Sequence, residues 1–287
     1  MVEAVAVGAL LADARGRLAA GGVSAPEREV LRIWADLTGR RPGDAVLARY
    51  EALHPALAAR LEEAFARRAA GEPLAHVTGV AGFRHLELAI DSRALIPRPE
   101  TEGLVDLVLA RVRRGRAADV GTGSGCIALS LVTEGDFERV IAVDCSRGAL
   151  ELAGLNAGRA ARRMTGRLEV IRGDLVSMLG DASIDALVSN PPYLSEAEYA
   201  SLDESVRRWE PAMALVSGVD GMLATRALLD DGRRVVADGG WIALEVDCSR
   251  AAHAAGCASA LGWRDVTVQA DLFGRERYLL ARRSARS

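Results

Sequence analysis

The chain has 287 residues, half of them hydrophobic and about a quarter charged, which suffices for one large α/β domain, a smaller one and a sizeable core. All 36 basic residues are arginine, they are scattered among 39 acidic ones, and the formal net charge of -3 argues against a surface that binds polyanions as a whole. Cys126, Cys145, Cys248 and Cys257 form no C-x-x-C pair and have no histidine at a ligand spacing, so the expectation is a reduced, cytoplasmic protein without a metal.

Residues 1–75 read as helices only. The first stretch has an apolar run, and "VSA" imitates the cleavage site of a signal peptide. A basic n-region is missing, however, and Asp13 and Arg15 interrupt the run. A helix with Val7, Leu10, Leu11, Ala14 and Leu18 on one face, ended by Gly21-Gly22, fits better. The "SAPE" stretch predicts a capping box between Ser24 and Glu27, with Pro26 in the first turn of a helix whose apolar stripe is Leu31, Trp34 and Leu37. A third helix follows His54-Pro55, turns Leu57, Leu61, Ala64 and Phe65 inward, and stops at Gly71. No run is long enough to span a membrane.

The stretch "FRHLELAIDSRALI" (83–96) alternates around Asp91-Ser92 and predicts a hairpin turning there. From about residue 100 helices and strands alternate. A helix over 101–112 precedes strands at 117–120, 139–144, 168–171, 184–189 and 241–246, and strands 266–269 and 278–282 follow with no room for a helix between them. The fold class is therefore α/β: a doubly wound, mostly parallel seven-stranded sheet with one antiparallel strand at its end. The expected boundaries are a small N-terminal helical domain (1–75), a β-hairpin linker (76–100) and the α/β domain (101–287).

Four motifs fall at strand ends. In "ADVGTGSGCIAL" (118–129) a strand runs through a glycine-rich turn into a helix start, where free N–H groups favour polar or anionic ligands. A dinucleotide site wants G-x-G-x-x-G, and Cys126 occupies the place of its third glycine, which disfavours NAD. Asp144 ends the next strand, nineteen residues after Gly125, where a carboxylate can accept both hydroxyls of a ribose. "RGDL" puts Asp174 and Leu175 on the same rim. "NPPY" (190–193) closes the strand over 184–189. The Asn190 side-chain oxygen and the Pro191 carbonyl can each accept one N–H of a planar NH2 group. Pro192 stiffens the turn, and Tyr193 can stack on the planar group.

The spacing D-x-G-x-G-x-G resembles the first motif of the S-adenosylmethionine-dependent methyltransferases, and NPPY resembles the motif they use for a nitrogen conjugated to a carbonyl or ring. Two substrates stay open at that point: a side-chain amide, or the N6 amine of adenine in DNA or RNA. The stretch 71–106, above all "LIPRPETE" (95–102), resembles the linker of the glutamine N5-methyltransferases of peptide chain release factors, the PrmC/HemK family. The likeness continues through "NPPYLSEAEY" and "RRWEPAMALVSGVDG" (207–221), while "LEVDCSR" (244–250) departs from the family's Leu-Glu-Ile-Gly.

The resemblance implies a Rossmann-like methyltransferase fold and S-adenosylmethionine as methyl donor. It implies the glutamine of the Gly-Gly-Gln loop of class I release factors as target. The helical domain carries no motif and is expected to dock them, and with no arginine-clustered stretch neither membrane nor direct nucleic-acid binding is expected. Carried over by position, Gly121, Thr122, Gly123, Ser124 and Gly125 surround the methionine end of the cofactor. Asp144 takes the ribose, and Asp174 with Leu175 borders the adenine. Asn190, Pro191, Pro192 and Tyr193 hold the glutamine amide, with Arg98, Pro99 and Thr101 close to the cofactor.

Overall fold

In the computed structural model, which describes residues 5–284, the chain divides into two units between Val80 and Ala81. The first contains α1 (Val7–Ala20), α2 (Pro26–Thr38), α3 (Asp44–Leu47), α4 (Pro55–Ala69) and α5 (Leu74–Thr78). Its core is built at helical spacing from Leu10, Leu18, Ile33, Trp34, Leu61 and Phe65, all buried. Val30, Ile33 and Trp34 are the buried stripe of α2, and Leu31 and Leu37 flank it. The capping box expected between Ser24 and Glu27 does not form. Pro26 takes the first helical position, so the uncapped Ala25 is the N-cap and Glu27 falls one residue short of the place a box needs.

The second unit opens on a hairpin of β1 (Val80–Phe83) and β2 (Leu86–Ala89), whose first residue belongs to the preceding unit. It turns at Arg84-His85 and not at Asp91-Ser92, with Arg84 at φ 51. The Arg84 amide donates to Glu102 Oε1 (2.9 Å), and its guanidinium pairs with Glu134 (2.7 Å) and Asp106 (2.8 Å). These partners fix the turn earlier in the chain than the alternation suggests. Asp91 caps a separate turn by accepting from Arg93 N (3.0 Å).

Then follow α6 (Pro99–Leu109), β3 (Arg114–Val120), α7 (Cys126–Glu134), β4 (Asp136–Asp144), α8 (Arg147–Ala160), β5 (Arg167–Arg172), β6 (Ile184–Ser189), α9 (Glu196–Ser201) and α10 (Glu204–Trp209). The chain closes with α11 (Leu223–Val235), β7 (Val236–Glu245), α12 (Ala251–Ala260), β8 (Arg264–Ala270) and β9 (Glu276–Arg282). The seven-stranded sheet has the order β5-β4-β3-β6-β7-β9-β8. β9 alone runs antiparallel, and it lies between β7 and β8 rather than at the sheet's edge. Alternate residues feed two cores, one on each face: Val140 and Ala142 of β4 join one, Ile141 and Val143 the other. Strand order reverses between β3 and β6, which opens a crevice at the carboxyl ends of these two neighbours. Ser189 Oγ, at the end of β6, donates to Val120 O (2.6 Å) at the end of β3 and ties the two sides together. Among the described residues no helix is long and apolar enough to cross a membrane.

Candidate active site

A cavity of ≈ 500 Å³ occupies this crevice. Gly121, Thr122, Gly123, Ser124, Asp144, Asp174, Leu175, Asn190 and Pro192 line it, whereas Gly125, Pro191 and Tyr193 do not. Thus the four strand-end motifs converge, although they are spread over more than seventy residues of sequence (from Gly121 to Pro192).

The glycine turn is held from beneath. Gly121 N and Thr122 N both donate to Val143 O (2.8 and 3.0 Å), which docks the turn on β4. Asp119, wholly buried, accepts from Thr122 Oγ1 (2.6 Å) and from Ala128 N (3.0 Å) at the start of α7. Its Oδ1 has no partner among the described residues, and burial pushes this carboxyl up to about 7. Gly125 sits at φ 85 as the N-cap of α7, and a Cβ there would stand 3.3 Å from Ala153 Cβ. It is therefore a packing glycine between the turn and α8, not part of the wall. Asn156 of α8 braces the same turn. Buried to 1 % exposure, it donates to Ser124 O (2.9 Å) and Ala89 O (3.0 Å) and accepts from Ala89 N (2.7 Å).

At the rim, Asp144 accepts from Gly123 N and Ser146 N, each at 2.9 Å and each on a different oxygen. Both bonds fix the carboxylate and leave it lone pairs for a diol. Leu175 lines the wall at φ 47, a left-handed conformation that a bulky residue rarely adopts and that functional sites retain.

On the opposite side, Asn190 Nδ2 donates to Thr101 Oγ1 (3.0 Å), which donates to Glu245 Oε2 (2.7 Å). Thr101 and Glu245 are buried, and burial raises the Glu245 carboxyl while the Thr101 hydroxyl and Arg277 oppose the rise. Tyr193, also under burial, is held as a neutral phenol above its ordinary value. Arg98 lines the cavity and binds both oxygens of Glu210 at 2.7 Å, so it anchors the segment that supplies Pro211, Met213 and Val216 to the wall. Pro99, by contrast, begins α6 away from the lining, and Pro97 takes its place. Burial pushes the Cys126 thiol up to about 12, so it is a neutral wall group and no nucleophile.

Sequence reasoning places Asp119 in the D-x-G-x-G-x-G pattern and Glu245 in "LEVDCSR" without assigning either a role, and it misses Asn156 altogether. An acid at the end of the β7 run, in a segment whose Leu-Glu matches the family's pattern, was the visible signal for Glu245.

A mostly parallel seven-stranded sheet with β9 inserted antiparallel, a glycine turn and a crevice at its switch point is a Rossmann-like fold of the kind found in methyltransferases. The fold agrees with a methyltransferase from Pyrococcus furiosus (TM-score 0.53, 18% identity, 79% of this chain and 98% of that one). Residues 99–207 match the methyltransferase small domain and residues 9–79 the PrmC N-terminal domain. The release factor glutamine methyltransferase of Moorella thermoacetica is 41% identical over 281 residues, 95% of this chain and 97% of that protein. Those of Nitratidesulfovibrio vulgaris (39%, covering 96% and 94%) and Deinococcus radiodurans (37%, covering 96% and 98%) are similar over the same extent. The chain belongs to the release factor glutamine methyltransferase family, and this membership supports the amide substrate rather than adenine N6.

Proposed function

We propose that the cavity binds S-adenosylmethionine and that Asn190 presents to it the side-chain amide of the glutamine in the Gly-Gly-Gln loop of a class I release factor. The lining fits such a cofactor. A volume of ≈ 500 Å³ suits a ligand of this size, apolar walls from Leu95, Ile127 and Leu175 suit an adenine, and the pinned Asp144 suits a ribose. When bound, S-adenosylmethionine supplies an electrophilic methyl carbon.

The chain's own residues deal with the nucleophile. An amide nitrogen is poor because its lone pair is delocalised into the carbonyl. Asn190 Oδ1 in the cavity wall accepts one of its two N–H groups, and the carbonyl of Pro191, its chain neighbour outside the lining, accepts the other; together they orient the nitrogen and stabilise the positive charge that develops there. The proton that the methylated nitrogen sheds passes to one of these oxygens or to water. The pair of prolines restricts the backbone that carries both acceptors.

The observation that carries this reading is the meeting of Asn190 and the glycine turn on one cavity, across the switch point between β3 and β6. Intact-mass analysis of release factor after incubation with enzyme and S-adenosylmethionine tests it. The expected result is a gain of one methyl, mapped to the loop glutamine, and its near absence with Asn190→Ala. No gain, or a methyl on another residue, overturns it.

A further inference from the structure

Thr101 has one hydroxyl proton and two side-chain partners, Asn190 and Glu245, which stand 89 and 144 residues away in sequence. Glu245 ends β7 at 1 % exposure with Arg277 as counter-charge, its Oε1 3.8 Å from Nη1. The Thr101 hydroxyl donates to Glu245 Oε2 at 2.7 Å, and the Arg277 guanidinium beside Oε1 opposes the effect of burial and favours the carboxylate, which only accepts. The hydroxyl is then left with lone pairs alone, and the group of Asn190 that faces it at 3.0 Å has to be the NH2. A planar amide whose nitrogen is fixed in this way keeps Oδ1 for the ligand side. Were Thr101 free to donate to Asn190, the amide could turn over and set two donors against the N–H of the substrate.

We propose that Thr101 and Glu245 are positioning residues that act through Asn190: they select the one of two amide orientations in which Oδ1 is the acceptor for the substrate nitrogen. The proposal rests on the role given above to Asn190, and it adds a reason for the threonine of the "LIPRPETE" stretch. It also gives the buried acid of β7 a function in the reaction, although Glu245 does not line the cavity.

Single-turnover methylation of full-length release factor, at saturating S-adenosylmethionine and enzyme, tests this with a double-mutant cycle. Thr101→Val keeps the shape and removes the hydroxyl. Its rate is expected to fall by about tenfold to a hundredfold, with cofactor affinity and thermal midpoint close to those of the unchanged chain. Thr101→Ser retains the hydroxyl and is expected to stay within about threefold. Asn190→Asp carries two acceptor oxygens, so its orientation no longer matters. In that background Thr101→Val is expected to cost less than about twofold. The same loss in both backgrounds, or a full rate for Thr101→Val, overturns the positioning role. A full rate for Asn190→Ala, run alongside, overturns the underlying role of Asn190 itself, which separates the two failures.

Discussion

Each polar residue of the site owes its task to what holds its other atoms. Asp144 is fixed by two backbone N–H groups, one per oxygen. Asp144→Ala should therefore remove a pre-set acceptor pair and weaken S-adenosylmethionine binding by about 1–3 kcal/mol, the equivalent of about 5-fold to 150-fold. Titration calorimetry with unchanged affinity would remove Asp144 from the ribose site. Asp119 is held for the opposite purpose, as a buried support whose carboxyl is raised from 3.8 to about 7. A raised carboxyl binds its proton more tightly in the folded chain than in the unfolded one. Its contribution to stability is thus full below about 3.8 and is lost as pH rises through about 7. By linkage, that rise is equivalent to at most about 4 kcal/mol. Asn in its place keeps an acceptor for Thr122 and Ala128 and never charges. Urea unfolding at about pH 5.5 and about pH 8.5 should accordingly show the unchanged chain losing stability relative to Asp119→Asn at the higher pH. A difference between the two proteins that does not vary with pH would mean that Asp119 stays charged throughout.

The elements were largely legible in the sequence, because parallel strands buried on both faces are short apolar runs and the helices between them are amphipathic. What was not legible depends on partners distant along the chain. The hairpin turn sits at Arg84 because Glu102, Asp106 and Glu134 grip it there, and alternation alone favoured Asp91-Ser92. The glycine turn, the Asp144 strand end and NPPY could be found by local spacing. The Asn190–Thr101–Glu245 chain could not, since its members belong to the end of β6, α6 and β7. Asn156 is a similar case. It lies within α8, yet its three hydrogen bonds join β2 to the turn at Ser124. Asn156→Ala would orphan an N–H and two carbonyls, and it should destabilise the second unit by about 2–4 kcal/mol in urea unfolding. It should also loosen the turn enough to weaken cofactor binding. A loss below about 0.5 kcal/mol would show that water replaces the side chain without cost.

At the scale of the whole molecule, the two units build their cores independently. The helical unit closes its own around Trp34 and Phe65, and the sheet unit has one on each face. Every residue lining the cavity belongs to the sheet unit, from Arg93 onward. On the proposed reading the cofactor is held by the sheet unit's own residues. A helical unit with a complete core and no part in the cavity is available for a task that a small substrate would not need, and a release factor is a large one. Removing residues 1–79, the span that ends with the match to the PrmC N-terminal domain, should leave S-adenosylmethionine affinity within about twofold. On intact release factor the truncated enzyme should lose about tenfold or more in kcat/KM, the equivalent of about 1.4 kcal/mol of docking energy. On a short peptide containing Gly-Gly-Gln, which can reach the cavity but not a second surface, truncated and full-length chains should work at equal rates. Equal loss on peptide and protein would assign the helical unit to the integrity of the sheet unit. No loss on either would leave docking to the sheet unit alone.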